Sequence, residues 1–256
     1  MKAVLLCAGY ATRLYPLTKD KPKPLLPIAG DKSMLEWLLD HLSKVPKVDA
    51  VYLVTNDKFA GHFESWAKDK KFPWPLVTVN DKTTSNETRL GAIGDLNYVL
   101  TTQKIGAEDL IVLAGDNYFD FDLPFFVAQA EKKRPHGSIA VYDVGDRELA
   151  KQYGLVSRAA DGKILEFFEK PKDPPTTLAS CGIYWLPKET RVLLDRYIAG
   201  GHNADQPGHY MSWLAQTDGL YAVPLQGVWL DIGDLQSYEK AKGLVLAPLK
   251  NPERKN

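Results

Sequence analysis

Residues Lys2 to Gly30 read KAVLLCAGYATRLYPLTKDKPKPLLPIAG. The apolar run from Ala3 to Cys7 has the length of a strand buried on both faces, and it stops at Ala8-Gly9, as the first strand of an α/β sheet does. The loop that follows is rich in cations and prolines: Arg13, Lys19, Lys21 and Lys23, and Pro16, Pro22, Pro24 and Pro27. Because repeated prolines oppose a helix, we expect a stiff, extended loop. A stiff cationic loop at the carboxyl end of a strand suits a phosphate chain.

The rest of the chain first alternates strands with helices and then becomes richer in strands. The sequence predicts strands over Ala50–Val54, Leu76–Val79 and Asp109–Ala114, with helices near 33–44, 58–70, 87–100 and 123–134. Further strands are predicted over 138–144, 155–157, 164–168 and 179–185, which favours antiparallel or mixed pairing there. We therefore predict an α/β fold: a Rossmann-like, three-layer α/β/α domain with a mostly parallel, mixed central sheet.

Length, charge and cysteine content narrow the function classes. The chain has 256 residues, a formal net charge of zero and two cysteines without metal-site spacing. No overall field favours nucleic acid or an anionic membrane, so neither is an expected partner. The N-terminus lacks the pattern of a signal peptide and no segment is apolar enough to span a bilayer, so we expect a reduced, cytoplasmic protein. The sequence does not fix the oligomeric state, and a homo-oligomer stays open.

The N-terminal stretch resembles the signature of the sugar-1-phosphate nucleotidyltransferases. That family has roughly AGGxGTRLxPLT followed by PKPLLPVxGxP; this chain reads CAGYATRLYPLT over 7–18 and PKPLLPIAG over 22–30. Ala8 and Ala11 stand where the family usually has glycine, and Ala is strained wherever φ is positive. The resemblance implies one nucleotidyltransferase domain over 1–256: a mainly nucleotide-binding half (1–117), a mainly sugar-phosphate-binding half (118–247) and a tail (248–256).

The resemblance also implies a nucleotide site built on this loop. Its residues would be Ala8, Gly9, Tyr10, Ala11, Thr12, Arg13 and Lys23. Arg13 would hold the departing β- and γ-phosphates and Lys23 the α-phosphate, where charge builds as the P–O bond breaks. Asn86 and Gly91 stand at the family's spacing for base recognition; Asn86 either reads the base or caps the following helix.

Two aspartates lie in strings that resemble the family's metal-binding motifs. Asp116 ends the predicted strand 109–114 in LAGDN, and Asp231 lies in GVWLDIG. The resemblance implies that they bind Mg²⁺, which proteins hold through one or two carboxylates together with water and phosphate oxygens. A single aspartate at a strand end otherwise forms a turn or a helix cap. Arg13, Lys23 and Asp116 are accordingly the predicted catalytic residues.

The sugar-phosphate site is implied by three further strings. Glu169-Lys170-Pro171 resembles the family's EKP element, in which Glu169 would bind sugar hydroxyls and Lys170 the phosphate; the alternative is a surface Glu–Lys pair before a turn. Gly154 in the Tyr153-Gly154 pair would let a sugar approach the backbone. Ser180 lies in a string similar to the strand that lines the same pocket.

We therefore expect an enzyme that joins a nucleoside triphosphate to a sugar-1-phosphate and releases pyrophosphate. By analogy with the family, dTTP or UTP with glucose-1-phosphate is the preferred pair. The alternatives are a phosphocholine cytidylyltransferase-like enzyme, which would need an aromatic or acidic cage, and a catalytically silent regulatory relative. A nicotinamide dehydrogenase is disfavoured, because Gly9 to Arg13 lacks the second and third glycines of the dinucleotide fingerprint.

Overall fold

The computed structural model describes residues 1–246; the predicted tail over 248–256 lies outside the described residues. The described part contains thirteen strands: β1 Lys2–Leu6, β2 Pro27–Ala29, β3 Lys32–Ser33, β4 Ala50–Thr55, β5 Leu76–Asn80, β6 Leu110–Ala114, β7 Asn117–Phe119, β8 Gly137–Asp143, β9 Gly154–Arg158, β10 Ile164–Glu169, β11 Leu178–Leu186, β12 Leu220–Pro224 and β13 Trp229–Asp231. It also contains eight α-helices: α1 Met34–Leu42, α2 Asp57–Ala67, α3 Ala92–Thr102, α4 Leu123–Glu131, α5 Arg147–Ala150, α6 Arg191–Ala199, α7 Pro207–Thr217 and α8 Leu235–Leu246. None of the helices within residues 1–246 combines the length and the apolar character needed to cross a membrane.

Nine of the strands form one mixed sheet. Its main path runs β10-β9-β11-β6-β1-β4-β5, and β8 joins β11 to β12. The pairs made by β1 with β4 and β6, and by β4 with β5, are parallel, whereas β11 pairs antiparallel with β6, β8 and β9. The expected change from parallel pairing in the first half to mixed pairing in the second is therefore confirmed.

Helices cover both faces of this sheet, as expected for three layers. Ala3 and Leu5 of β1 pack in a core with α1, α2 and α4, whereas Val4 packs in a second core with α3, α6 and α7. Since successive strand residues point to opposite faces, the continuous apolar run of β1 serves both cores.

A third, smaller core holds the cationic loop against the last quarter of the chain. Leu14 and Ile28 of the loop region pack with Tyr118, Ile232 and Tyr238. The Tyr238 hydroxyl donates a hydrogen bond of 2.6 Å to the carbonyl of Pro27. The loop is thus attached to the same elements that carry the two predicted metal ligands.

Local structure in the loop differs from a fully extended path. Short 3-10 turns occur at Thr12–Leu14 and Lys23–Leu25. Pro24 is compatible with the second turn because the first residues of a helical turn need no backbone N–H donor inside it. Ala11 has φ of +47°, so the strain foreseen for alanine at a positive φ is present at this position, while Ala8 is not among the positive-φ residues.

Helix starts follow their capping residues. Ser33 is the N-cap of α1 and forms a capping box: its Oγ accepts from Glu36 N, and the Glu36 carboxylate accepts from Ser33 N. The predicted helix over 87–100 begins later than expected, at Ala92 with Gly91 as its N-cap, and a 3-10 turn occupies Asn86–Thr88.

Candidate active site

The two predicted metal ligands lie side by side across a short ladder at the end of the main sheet. Strand β7 pairs antiparallel with β13, which puts Asn117 opposite Asp231, and Ile232 N donates to Asp116 O at 3.1 Å. Asp116 and Asp231 are 115 positions apart in the sequence, and this ladder alone places them next to each other. The geometry therefore brings the two carboxylates to one place, as the sequence predicts.

Lys23 joins this acidic pair to the cationic loop. Its Nζ donates to Asp116 Oδ2 at 2.8 Å and to the carbonyl of Ile232 at 2.6 Å, and only 9% of the residue is exposed. A nearly buried ammonium needs such partners, because an unpaired charge is costly away from water. Lys23 is therefore fixed between Asp116, which precedes β7, and Ile232, which follows β13.

The electrostatics at Asp231 favour a cation. Burial and, next in size, the charge of Asp116 raise the pKa of the Asp231 carboxyl to about 6, although Lys23, Arg13 and Lys170 act in the opposite direction. A divalent ion next to the two carboxylates would stabilise their charged forms and offset the repulsion between them, so the pair fits Mg²⁺. Among the described residues there is no group of three or more potential metal-ligating side chains, so substrate oxygens and water would complete the coordination.

Arg13 is an exposed residue of the cationic loop that lies close to the acidic pair. Its guanidinium lies beside Gly233, where an added Cβ would come within 3.2 Å of an Arg13 nitrogen. Arg13 and Asp231 line the same cavity of about 510 Å³. The exposed guanidinium can thus contact an anion that is bound next to the aspartates.

Gly9 to Thr12 form one edge of the predicted nucleotide-binding loop. Gly9 is exposed, and a Cβ added to it would find no heavy atom within 4 Å. Ala8 and Tyr10 are fixed beneath it: the carbonyl of Ala8 accepts from Asn56 Nδ2 at 2.8 Å, and the Tyr10 hydroxyl donates to the carbonyl of Thr83 at 3.2 Å. A ligand can therefore approach the backbone at Gly9, while hydrogen bonds hold the neighbouring residues Ala8 and Tyr10 in place.

The candidate base-reading residues occupy the turn before α3. Asn86 is exposed, and its side chain does not cap α3, because Gly91 is the N-cap. Gly91 has φ of +79°, and a Cβ there would lie 2.3 Å from Asp205 Cα. Glycine is thus required at position 91 by the chain segment packed on it, whatever contact it makes with a base.

The predicted sugar-phosphate residues lie together around a second cavity, of about 170 Å³. Gly154, Glu169, Lys170 and Ser180 all line it, together with Asp116 and Asp231. Burial raises the pKa of the Glu169 carboxyl, with Lys170 and His209 lowering it. Ser180 lines this cavity, although its Oγ is itself buried, next to the Tyr184 hydroxyl.

Gly154 serves packing as much as ligand approach. A Cβ at this position would come within 2.8 Å of the Phe167 ring and 3.2 Å of Glu169 Oε2. Gly208 is still more restricted, because its Cβ would lie 1.9 Å from the same Glu169 oxygen. The position of the Glu169 carboxylate therefore depends on both glycines.

Sequence reasoning missed several residues of the site. Trp229 lines both cavities, stacks edge-on against Tyr153 at 4.9 Å between ring centroids, and donates from Nε1 to Asn117 Oδ1 at 3.1 Å. Gln152 also lines both cavities. Trp229 stands two residues before Asp231, and that proximity to a predicted ligand was the available signal.

Sequence reasoning also missed a pair of buried carboxyl groups near the predicted nucleotide-binding loop. Asp81 and Asp95 are 4% and 5% exposed, and neither Asp81 Oδ2 nor Asp95 Oδ1 has a hydrogen-bond partner among the described residues, so a proton shared by the pair would satisfy them. Burial, followed by the neighbouring charge of Asp81, raises the pKa of Asp95 to about 8. These residues are 14 positions apart, next to a strand end and on a helix, so no sequence motif indicates their contact.

Comparison with known proteins gives a consistent result. The chain is 29% identical over 235 residues to a protein named bifunctional protein GlmU from Methanococcus maripaludis, covering 91% of this chain and 51% of that protein. It is 31% identical over 258 residues to a provisionally named mannose-1-phosphate guanyltransferase of Sulfolobus acidocaldarius, covering 99% of this chain and 65% of that protein. The chain thus spans about half to two thirds of the length of these curated relatives.

A solved structure shares the whole fold. A crystal structure from Bacillus anthracis, provisionally assigned as a glucose-1-phosphate thymidylyltransferase in complex with sucrose, superposes with a TM-score of 0.82 at 22% identity, covering 97% of this chain and 96% of that one. It has the mixed α/β architecture described above. The sequence model of one family, nucleotidyl transferase, matches residues 2–247. With nearly its whole length matched, the chain belongs to the nucleotidyl transferase family.

Proposed function

We propose that this protein joins a nucleoside triphosphate to a sugar-1-phosphate, giving a nucleotide-sugar and pyrophosphate. The observation that carries the proposal is the position of Lys23, whose buried ammonium bonds to Asp116 and to the carbonyl next to Asp231. A fixed cation beside two adjacent carboxylates is suited to a phosphate held by both a lysine and a divalent ion. The cavity for the second substrate begins at the same carboxylates.

The proposed reaction is an in-line displacement at the α-phosphorus. A phosphate oxygen of the sugar-1-phosphate forms a bond to this phosphorus, the bond to the β-phosphate bridging oxygen breaks, and pyrophosphate leaves with the electron pair. Lys23 holds the α-phosphate and Arg13 the departing phosphates, where negative charge increases in the transition state. No covalent enzyme intermediate is needed, because the nucleophile is already an anion, so catalysis comes from alignment and charge stabilisation.

Asp116 and Asp231 would hold Mg²⁺. When bound, the ion would offset the repulsion between the two reacting phosphates. Asp231 is half-buried and faces Asp116, while Asp116 remains bonded to Lys23, so the chain supplies two carboxylates of restricted orientation. Such a pair is typical of Mg²⁺ sites that depend on substrate phosphates for their remaining ligands.

Glu169, Lys170, Gly154 and Ser180 would bind the sugar phosphate. Glu169 and Ser180 offer oxygen atoms to sugar hydroxyls inside the smaller cavity, and Lys170 stands between this cavity and the larger one, where it can meet the phosphate. Lys170 has φ of +46°, which turns the chain sharply directly after Glu169. Because Glu169 and Lys170 of the EKP element line the cavity, the structure supports a role in ligand binding over that of a solvated surface pair.

On the nucleotide side, the loop from Ala8 to Thr12 would bind the nucleoside, with Asn86 and Gly91 reading the base. The Asn86 amide is exposed and offers both a donor and an acceptor, as a pyrimidine edge requires. We therefore favour dTTP or UTP, with glucose-1-phosphate as the sugar substrate. By the same reasoning, residues 1–117 form the mainly nucleotide-binding half and 118–247 the mainly sugar-binding half of one domain.

A choline phosphate substrate is the second candidate, because the larger cavity has an aromatic wall. Tyr142, Tyr153 and Trp229 line it, with ring centroids of Tyr142 and Trp229 6.2 Å apart. Aromatic rings and carboxylates bind quaternary ammonium groups. However, three cations line this cavity (Arg13, Lys170 and Lys240) against two carboxylates (Asp231 and Asp234), so it favours an anion. A silent regulatory relative is the third candidate, and the retained Lys23 and Asp116 argue against it.

The test is a panel of triphosphates crossed with glucose-1-phosphate, other sugar-1-phosphates and choline phosphate, with Mg²⁺, scored for pyrophosphate. We expect release with a sugar-1-phosphate and a pyrimidine triphosphate. Lys23→Met is expected to abolish most turnover, and Lys21→Met, in the same loop but exposed, is the matched control. Binding of nucleotide and sugar phosphate without pyrophosphate from any pair would identify the regulatory relative instead.

Cytoplasmic location and homo-oligomer formation are separate proposals, to be tested by fractionation and by light scattering.

A further inference from the structure

One chain segment contacts both halves of the candidate site. Residues 203–208, called here the bridging segment, run from the loop after α6 into the first turn of α7. The segment begins at Asn203, whose carbonyl accepts from the Tyr197 hydroxyl at 2.6 Å and whose Oδ1 accepts from Asp205 N at 2.8 Å. One end of the segment contacts the turn that holds the candidate base-reading residues, and the other end lines the cavity that contains Glu169.

The first end is fastened to the base-reading turn. Ala92 N donates to the carbonyl of Asp205 and Ile93 N to the carbonyl of Ala204, both at 2.9 Å. These bonds satisfy the first backbone donors of α3, which would otherwise have no partner within the helix. Gly91, with no Cβ, allows the close approach of Asp205. The start of α3 is therefore capped by the bridging segment and not by a side chain.

An ion pair closes the same end. Arg89 Nε and one Nη donate to the two oxygens of Asp205, each at 2.8 Å, and the other Nη donates to the carbonyl of Asn86 at 2.8 Å. An exposed ion pair with a single contact contributes little to stability. Here the planar guanidinium has a two-point grip on the carboxylate and a third bond to the turn, which fixes orientation.

The second end is pressed against the sugar-binding carboxylate. Gly208 lies in the first turn of α7, and the site for its missing Cβ lies 1.9 Å from Glu169 Oε2 and 2.8 Å from the Phe167 ring. Pro207 and Gly208 both line the smaller cavity, and Asp205 does not. A shift of the segment therefore moves the wall against which Glu169 rests.

We propose that Arg89 and Asp205 are positioning residues that couple the two half-sites: by holding the bridging segment, they set the base-reading turn and the sugar-binding Glu169 in register. The inference rests on the proposed function for the identity of the two ligands. Its distinctive consequence is that Asp205, which does not line the sugar cavity, controls sugar-phosphate binding through Gly208. Misplacement of a binding group by about 1 Å can cost up to about a hundredfold in rate.

The test uses Asp205→Asn, which keeps the shape but loses the charged two-point grip, and Arg89→Lys, which keeps the charge but loses the fork. The control is Lys47→Gln, which removes a comparably exposed ion pair with Glu131 elsewhere on the surface. Calorimetry measures the binding of dTTP with Mg²⁺ and of glucose-1-phosphate, each alone, so that no turnover is needed. Where the wild type releases pyrophosphate, KM for each substrate and kcat are measured as well.

We expect Asp205→Asn to weaken both ligands by about tenfold or more, Arg89→Lys to have a smaller effect, and Lys47→Gln to have none. Amide hydrogen exchange at Ala92 and Ile93 is expected to speed up in Asp205→Asn, which reports release of the segment independently of activity. The inference is overturned if glucose-1-phosphate binds Asp205→Asn as it binds the wild type, or if only the nucleotide is weakened. Absence of pyrophosphate release by the wild type would refute the proposed reaction, while the binding data would still decide on the coupling.

Discussion

Replacing Asp95 with asparagine should change how the stability of this protein depends on pH. Asp95 is 5% exposed and faces Asp81, and burial raises the pKa of its carboxyl to about 8. Asp81 and Asp205 are the acidic groups that contribute to this increase. In the Asp95→Asn variant, the new side-chain amide would donate to Asp81 as the protonated carboxyl does, and it cannot ionise.

The direction of the change in stability with pH depends on whether the folded or the unfolded chain keeps the proton of Asp95. Between the ordinary pKa of 3.8 and the folded value of about 8, folded Asp95 keeps its proton and the unfolded chain has lost it. Stability therefore falls as pH rises through this window, by about 1.4 kcal/mol for each pH unit from this group alone. For a protein of this size, that corresponds to about 3–6 °C in Tm per pH unit.

Thermal unfolding of the wild type and of Asp95→Asn between pH 5 and 8 measures the effect. We expect the variant to gain on the wild type steadily as pH rises, and Asp69→Asn, at an exposed position, to run parallel to the wild type. Titrating groups remote from the Asp81–Asp95 pair contribute equally to both proteins and cancel in the difference. Parallel curves for Asp95→Asn and the wild type would refute the reasoning, because they would mean that Asp95 is already ionised in the folded protein.

Three further outcomes are expected. Lys23→Met should lower kcat by about 10²–10³-fold, since it removes a fixed cation from the proposed reacting phosphate. Steady-state kinetics would measure the loss, and an unchanged far-ultraviolet circular dichroism spectrum would show that the variant is folded. A near-normal kcat would contradict the role assigned to Lys23. Ala11→Gly should stabilise the protein by about 0.5–1 kcal/mol, because glycine relieves the φ of +47°, and a urea midpoint at or below that of the wild type would count against the strain. Gly208→Ala should raise KM for the sugar phosphate more than KM for the triphosphate, because the new Cβ would displace Glu169; equal changes in both KM values would argue that it acts elsewhere.

The features predictable from sequence were those with a local cause. The unbroken apolar run of β1 reflects burial on both faces, and the helix predicted near 33–44 is present as α1, with Ser33 as its N-cap. The juxtaposition of Asp116 and Asp231 was expected only because both strings resemble family motifs. Nothing local to either string specifies it.

The features that escaped prediction depend on tertiary contacts. Strand β7 has three residues, too short for a period to be visible, yet its pairing with β13 creates the acidic pair. The helix expected from Glu87 starts at Ala92 because the bridging segment packs on Gly91 and supplies its cap. The Asp81 and Asp95 contact joins the end of β5 to α3, and single-residue propensities carry no information on such a pair.

The β7–β13 ladder also has a consequence for biosynthesis. A ribosome must add residue 231 before the second carboxylate exists, and only then can the ladder close on Asn117. Nascent chains that stop before Trp229 would contain the intact parallel strands β1, β4, β5 and β6 but only half of the acidic pair. Premature termination shortly before this point would therefore yield polypeptides able to fold in part but lacking the second carboxylate, so the proposed site for a divalent ion should form only after residue 231 has been added.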